Sequence, residues 1–145
     1  MEEQQIVEEV IGLFQTGLRH FEKELRFKEK EYDKIVISFS ELTLVPVWRQ
    51  PLKPLLKIRN AGRAEKLKRQ ILILKERIKK IPQAIDDLKQ GTYLSAIPLF
   101  NPIADIFYRP SPPSGSVSFF VRHNQKFFHI LDLERQLIDL QEKKE

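Results

Sequence analysis

Apolar residues recur at alternating spacings of four and three along the first part of the chain: Val7, Ile11, Phe14, Leu18, Phe21, Leu25, then Tyr32, Ile35 and Phe39, with Lys28 as the one polar interruption. This is the period of a helix face turned toward a partner helix, and it predicts a long amphipathic helix from about Glu3 to at least Tyr32. Residues 34–48, KIVISFSELTLVPVW, keep the rhythm as far as Leu42. They are also β-branched and alternate Ile35, Ile37 and Phe39 with Val36, Ser38 and Ser40, so the pattern leaves helix and strand both open there. Pro46, Pro51 and Pro54 mark a corner, because proline removes a backbone donor and biases its predecessor away from helix. Beyond it Ala64, Leu67, Ile71, Leu74, Ile78 and Ile81 repeat the four-three rhythm on a second helix over about 52–90, which Pro82 kinks or restarts and Gly91 closes. Matching seams joined by a proline-rich corner predict an antiparallel helical hairpin.

After Gly91 the pattern changes. Residues 91–115 are apolar but broken by proline, and are expected to form an irregular connector ending in a polyproline-like strap at Arg109–Pro113. Residues 116–131, SVSFFVRHNQKFFHIL, alternate as strands do. A two-residue turn at Asn124 and Gln125 would gather Val117, Phe119, Val121, Phe128 and Ile130 on one face, and Phe120, Arg122, Phe127 and His129 on the other. Asp132 is the expected cap of a last helix with Leu133, Leu137 and Leu140 as its seam. The fold class is therefore mainly α (α+β): one domain over 1–145, with an acidic long helix and extension at 1–45, a basic helix at 52–90, the connector, a small β-hairpin and a C-terminal helix.

Composition narrows the classes. At 145 residues the chain can bury one real core, and 41% hydrophobic with 31% charged residues argues against disorder throughout. Cysteine is absent, which excludes disulfides, thiolate catalysis and sulfur-ligated metal sites. The first ten residues, MEEQQIVEEV, are acidic where a signal peptide would be basic. The longest uncharged stretch, Gln90 to Ala104, has 15 residues and two prolines, short of the roughly 20 apolar residues of a spanning helix. A soluble, cytoplasmic protein is expected.

Charge is distributed unevenly. Residues 1–41 hold ten acids and six bases, residues 42–90 four acids and thirteen bases, and residues 91–145 six of each, so the net +5 arises on the second helix. Between Lys57 and Lys80 ten bases face only Glu65 and Glu76. On a helical projection Lys57, Lys68, Lys75 and Lys79 share one flank of the seam and Arg59, Lys66 and Arg77 the other. Rows of this kind neutralise successive phosphates with little sequence preference, so Arg49, Lys53, Lys57, Arg59, Arg63, Lys66, Lys68, Arg69, Lys75, Arg77, Lys79 and Lys80 are the candidate nucleic-acid contacts. Phe120, Arg122 and Phe127 are optional stacking partners for unpaired bases, against the plainer reading of a strand buried on both faces. The competing explanation of the basic rows is neutralisation by Glu22, Glu24, Glu29, Glu31 and Asp33 of the first helix.

No catalytic signature emerges. The chain has no Gly-rich phosphate loop, no H-E-x-x-H and no G-x-S-x-G, and His20 with Glu24 four residues on is a single helical His–carboxylate pair of the kind chance supplies among so many Glu residues. The sequence therefore points to a non-catalytic accessory protein without cofactor that lays a basic helix on nucleic acid, as a subunit of a nucleoprotein assembly. The alternatives are a helical adaptor or homo-oligomer recognising an acidic protein, and peripheral binding to an anionic membrane with Trp48 beside Arg49 as anchor.

Overall fold

The computed structural model describes residues 2–41, 53–108 and 124–144, and the side-chain surroundings of 2–36, 61–108 and 124–144. Four α-helices account for nearly all of them: α1 (Glu3–Glu41), α2 (Lys53–Lys89), α3 (Phe100–Phe107) and α4 (Gln125–Lys144), with a 3-10 turn at Ile97–Leu99. Among the described residues there is no strand. They fall into two compact units, one of Met1–His20 with Arg77–Glu145 and one of Phe21–Glu76.

In the first unit, α1 buries more than its predicted seam. Phe14 is buried, whereas Val7, Ile11 and Leu18 are half-buried, and a neighbouring stripe of Ile6, Val10, Leu13 and Gly17 is buried as well. The extra stripe meets α3 and α4: Gly17 lies against Ile103, and Leu13 shares a cavity wall with Ile130 and Leu133. Phe14 closes the centre with an edge-to-face contact to Phe100, ring centroids 5.2 Å apart, an arrangement worth about 0.5–1.5 kcal/mol beyond area burial.

The last turns of α2 complete this core. The helix does not restart at Pro82. Interior proline forfeits a backbone bond at a cost of about 3 kcal/mol, offset here by burial of Ile81, Ala84, Ile85 and Leu88 on both sides of it. The helix ends in a Schellman motif: Gly91 N–H donates to Leu88 O (3.2 Å) and Thr92 N–H to Asp87 O (2.9 Å). The motif needs a left-handed residue at Gly91, whose φ is +87°, a value glycine reaches without steric penalty.

Two expectations for the C-terminal part fail. The connector is not irregular over its first part, for Ile97–Leu99 and Phe100–Phe107 are helical and bury Leu99, Phe100, Ile103 and Ala104. Pro98 and Pro102 fall in first turns, where backbone N–H groups have no helical acceptor to lose. The β-hairpin is not formed either: its second strand, 126–131, is the beginning of α4. Ile130 is in phase with Leu133 and Leu137, all three fully buried, so the helical period wins over the local alternation. Asn124 precedes the helix, with its carbonyl accepting the Phe128 N–H at 3.0 Å, while the expected cap Asp132 sits inside it and accepts from Arg135 and Gln136. The proposed first strand and the strap from Arg109 lie outside the described residues.

The second unit pairs α1 from Phe21 with α2 up to Glu76. Among its residues with described side-chain surroundings, Phe21 and Ile35 on α1 and Leu67, Ile71 and Leu74 on α2 are buried, in the predicted phase. The burial of Ile35 belongs to the same seam, and residues 34–41 are helical despite their β-branched character. Residues 42–48 lie outside the description.

Candidate nucleic-acid interface

Burying Leu67, Ile71 and Leu74 forces the intervening bases of α2 outward. Arg63, Lys66, Lys68, Arg69, Lys75, Lys79 and Lys80 are exposed and Arg77 is half-buried. Lys53, Lys57 and Arg59 fall on the same helix, and Arg49 lies outside the described residues. Arg69 Nε lies 3.6 Å from Glu65 Oε1, one turn back, with both side chains well exposed. Among the described residues, Arg63, Lys66, Lys68, Lys75 and Lys79 take part in no ion pair.

The acids of α1 enter at one place. A cleft of about 300 Å³ in the second unit is lined by Glu29, Tyr32 and Asp33 of α1 and by Lys68, Ile71, Leu72 and Lys75 of α2. Lys68 and Lys75 thus share a cleft with two carboxylates without bonding to them, and the negative field there offsets part of theirs. Arg63, Lys66 and Lys79 do not line this cleft.

The predicted stacking residues fare differently. Phe120 and Arg122 lie outside the described residues, and Phe127 is on a helix instead of a strand. It meets Tyr108 edge to face at 5.2 Å and Phe128 at 5.5 Å. Lys126 lies 5.7 Å from the centre of the Phe107 ring, so the end of α3 and the start of α4 form one aromatic cluster. His129 is engaged elsewhere, its Nε2 sitting 2.5 Å from Glu9 Oε1 of α1.

The first unit also holds a polar cluster that the sequence reading missed. Lys144 Nζ lies 2.7 Å from Glu3 Oε1 and donates to Tyr93 OH (3.1 Å) and Gly91 O (3.0 Å), stacking over the Tyr93 ring at 4.4 Å. Tyr93 OH donates to Glu3, and Tyr93 N–H to Gln141 Oε1 at 3.0 Å. Lys144 and Tyr93 hold the Glu3 carboxyl below the usual carboxylate range. Burial, and then Glu3, push the Tyr93 phenol up, while Glu3 and Tyr93 raise the Lys144 ammonium. Nothing in local spacing announces this cluster, since Glu3 and Tyr93 stand 90 residues apart.

No family model, no curated protein and no solved structure matches this chain.

Among the described residues no three His, Asp or Glu side chains converge as metal ligands, and His20 and Glu24 remain a pair on α1. No described helix is long and apolar enough to cross a membrane. The chemistry on the surface of α2 is that of exposed positive charges repeated along a helix.

Proposed function

We propose that the chain is a non-catalytic nucleic-acid-binding protein that lays α2 along the sugar-phosphate backbone, as an accessory subunit of a nucleoprotein assembly. The observation that supports this reading is the exposure of Arg63, Lys66, Lys68, Lys75 and Lys79 on a single helix, none of them in an ion pair with a described residue. Cations held at a helical spacing reach successive phosphates and release condensed counterions, so affinity follows salt more than sequence.

The test is a titration of random-sequence RNA and duplex DNA at increasing salt. Each phosphate neutralised on a duplex contributes about −0.9 to the slope of log K against log salt, so four to five contacts give a slope of about −4. Lys66→Gln with Arg63→Gln should make that slope shallower by about two without changing sequence preference. Absence of binding at low salt rejects the reading.

A further inference from the structure

The polar cluster of the first unit borders an open groove of about 790 Å³, lined by α1 between Glu2 and Ile11, by the end of α2 and by Lys144. The Lys144 ammonium is held there by the Glu3 carboxylate at 2.7 Å, the Gly91 carbonyl at 3.0 Å, the Tyr93 hydroxyl at 3.1 Å and the face of the Tyr93 ring, 4.4 Å from its centre. An ammonium has three donors and no acceptor, so three oxygens and a π face complete its shell. Beside this cluster Val7, Ile11 and Leu88 supply apolar wall, while Glu2 and Glu8 add two carboxylates that take part in no ion pair among the described residues. Lys89 is the one other cation of the lining, so acids outnumber bases by three to two even with Lys144 counted. The last turn of α2, the negative end of its dipole, adds to that field.

We propose that this groove is a binding site for an aliphatic polyamine whose terminal ammonium takes the place of that of Lys144, a site independent of the nucleic-acid reading. Lys144 itself shows what fits, since its side chain is a primary ammonium on a four-carbon stem, the same group that ends an aminobutyl polyamine. It stands in the last turn of α4, where terminal carbonyls have no helical partner and local opening costs least. With the ligand's end group on Glu3 and Tyr93, its alkyl chain follows Val7, Ile11 and Leu88. A second ammonium then meets Glu8, five residues and about 7.5 Å beyond Glu3 along the helix axis. A lone amine would leave Glu2 and Glu8 unmatched. The whole chain carries +5, so it has no general attraction for a polycation, and binding has to come from a local excess of acid such as this one. Lys144 competes from its tether, so the wild-type affinity is reduced to the fraction of molecules in which its ammonium is out of the site.

The test is calorimetric titration of the full chain with spermidine and with n-butylamine at fixed ionic strength, alongside thermal melts. Spermidine should bind the wild type, and should bind Lys144→Ala at least about tenfold more tightly because the competitor is gone. The melting temperature lost in Lys144→Ala should be recovered as spermidine is added. Glu3→Gln combined with Lys144→Ala should show neither the tighter binding nor the recovery. n-Butylamine should bind Lys144→Ala at least about tenfold less tightly than spermidine, having no second charge for Glu8. In the wild type, whose fold is not in question, spermidine should shift the amide resonances of Gly91 and Tyr93. No binding of spermidine to the wild type overturns the proposal, and so do resonance shifts confined to other residues. Equal affinity in the wild type and a folded Lys144→Ala overturns it too, because the ligand would then sit elsewhere. Equal affinity of the two amines reduces the site to an ammonium pocket and rejects the polyamine.

Discussion

Lys144 Nζ and Glu3 Oε1 stand 2.7 Å apart, which ties the last turn of α4 to the first turn of α1 around the buried Tyr93. The clasp sets a pH window. Glu3 is lowered in the fold, so its contribution is present above the unfolded value near 4.5 and is lost as pH falls through the folded value. Lys144 is raised, so its contribution is present below 10.5 and is lost as pH rises through the folded value, and Tyr93, raised from 10.0, acts in the same direction. Glu134 opposes the acid limb: burial raises its carboxyl, so the folded state keeps a proton that the unfolded state has released, and stability from it grows as pH falls toward 4.5. Thermal melts of the wild type and Glu3→Gln should therefore differ most between about pH 5 and 10 and converge toward pH 3. A constant difference across that range would mean that Glu3 acts through packing alone.

The start of α4 gives a second prediction and shows where the sequence was ambiguous. A strand would have put Phe128 and Ile130 on one buried face, whereas the helix buries Ile130 completely and leaves Phe128 43% exposed. Ile130→Ala should cost about 2–5 kcal/mol and Phe128→Ala far less, measured by denaturant unfolding. Comparable losses would favour the strand register. The seams of α1 and α2 were legible because their period persists over many turns and averages out local exceptions such as Lys28. Residues 126–131 are too few to separate a period of 2 from one of 3.6, and the evidence that decides between them, the phase of Leu133 and Leu137, lies further along the chain. The stripe of Ile6, Val10 and Leu13 was missed for another reason. It belongs to the face of α1 that meets α3 and α4, and proline in the sequence argued against the first of these helices.

Three helical glycines have opposite expectations. A Cβ at Gly12 or Gly62 meets nothing within 4 Å, so alanine there should stabilise by about 0.5–1 kcal/mol through helix propensity. A Cβ at Gly17 would lie 3.0 Å from Cγ1 of Ile103, itself fully buried. Gly17→Ala should fall short of the other two by about 1–3 kcal/mol, the usual cost of overpacking. Equal gains at all three positions would show that α3 yields freely at Ile103.

The candidate interface was legible as composition and not as geometry. The sequence located the bases on α2 and offered the acids of α1 as their neutralising partners. Only the fold shows that Glu29 and Asp33 share a cleft with Lys68 and Lys75 and that Lys66 is not among its lining residues. Reversing charge has different consequences at these positions. Lys68→Glu with Lys75→Glu gathers four carboxylates around one cleft, where like charges repel and nearby cations no longer offset them. That variant should lose stability by about 1 kcal/mol or more at low salt and regain part of it as salt screens the repulsion. Lys66→Glu removes the same charge per residue without adding a carboxylate to the cleft, and should unfold at the wild-type denaturant concentration. Polyanion affinity should fall in both. If Lys68→Glu with Lys75→Glu unfolds like the wild type at low salt, Glu29 and Asp33 exert no effective field on that flank, and the lysines there are as available to a ligand as Lys66.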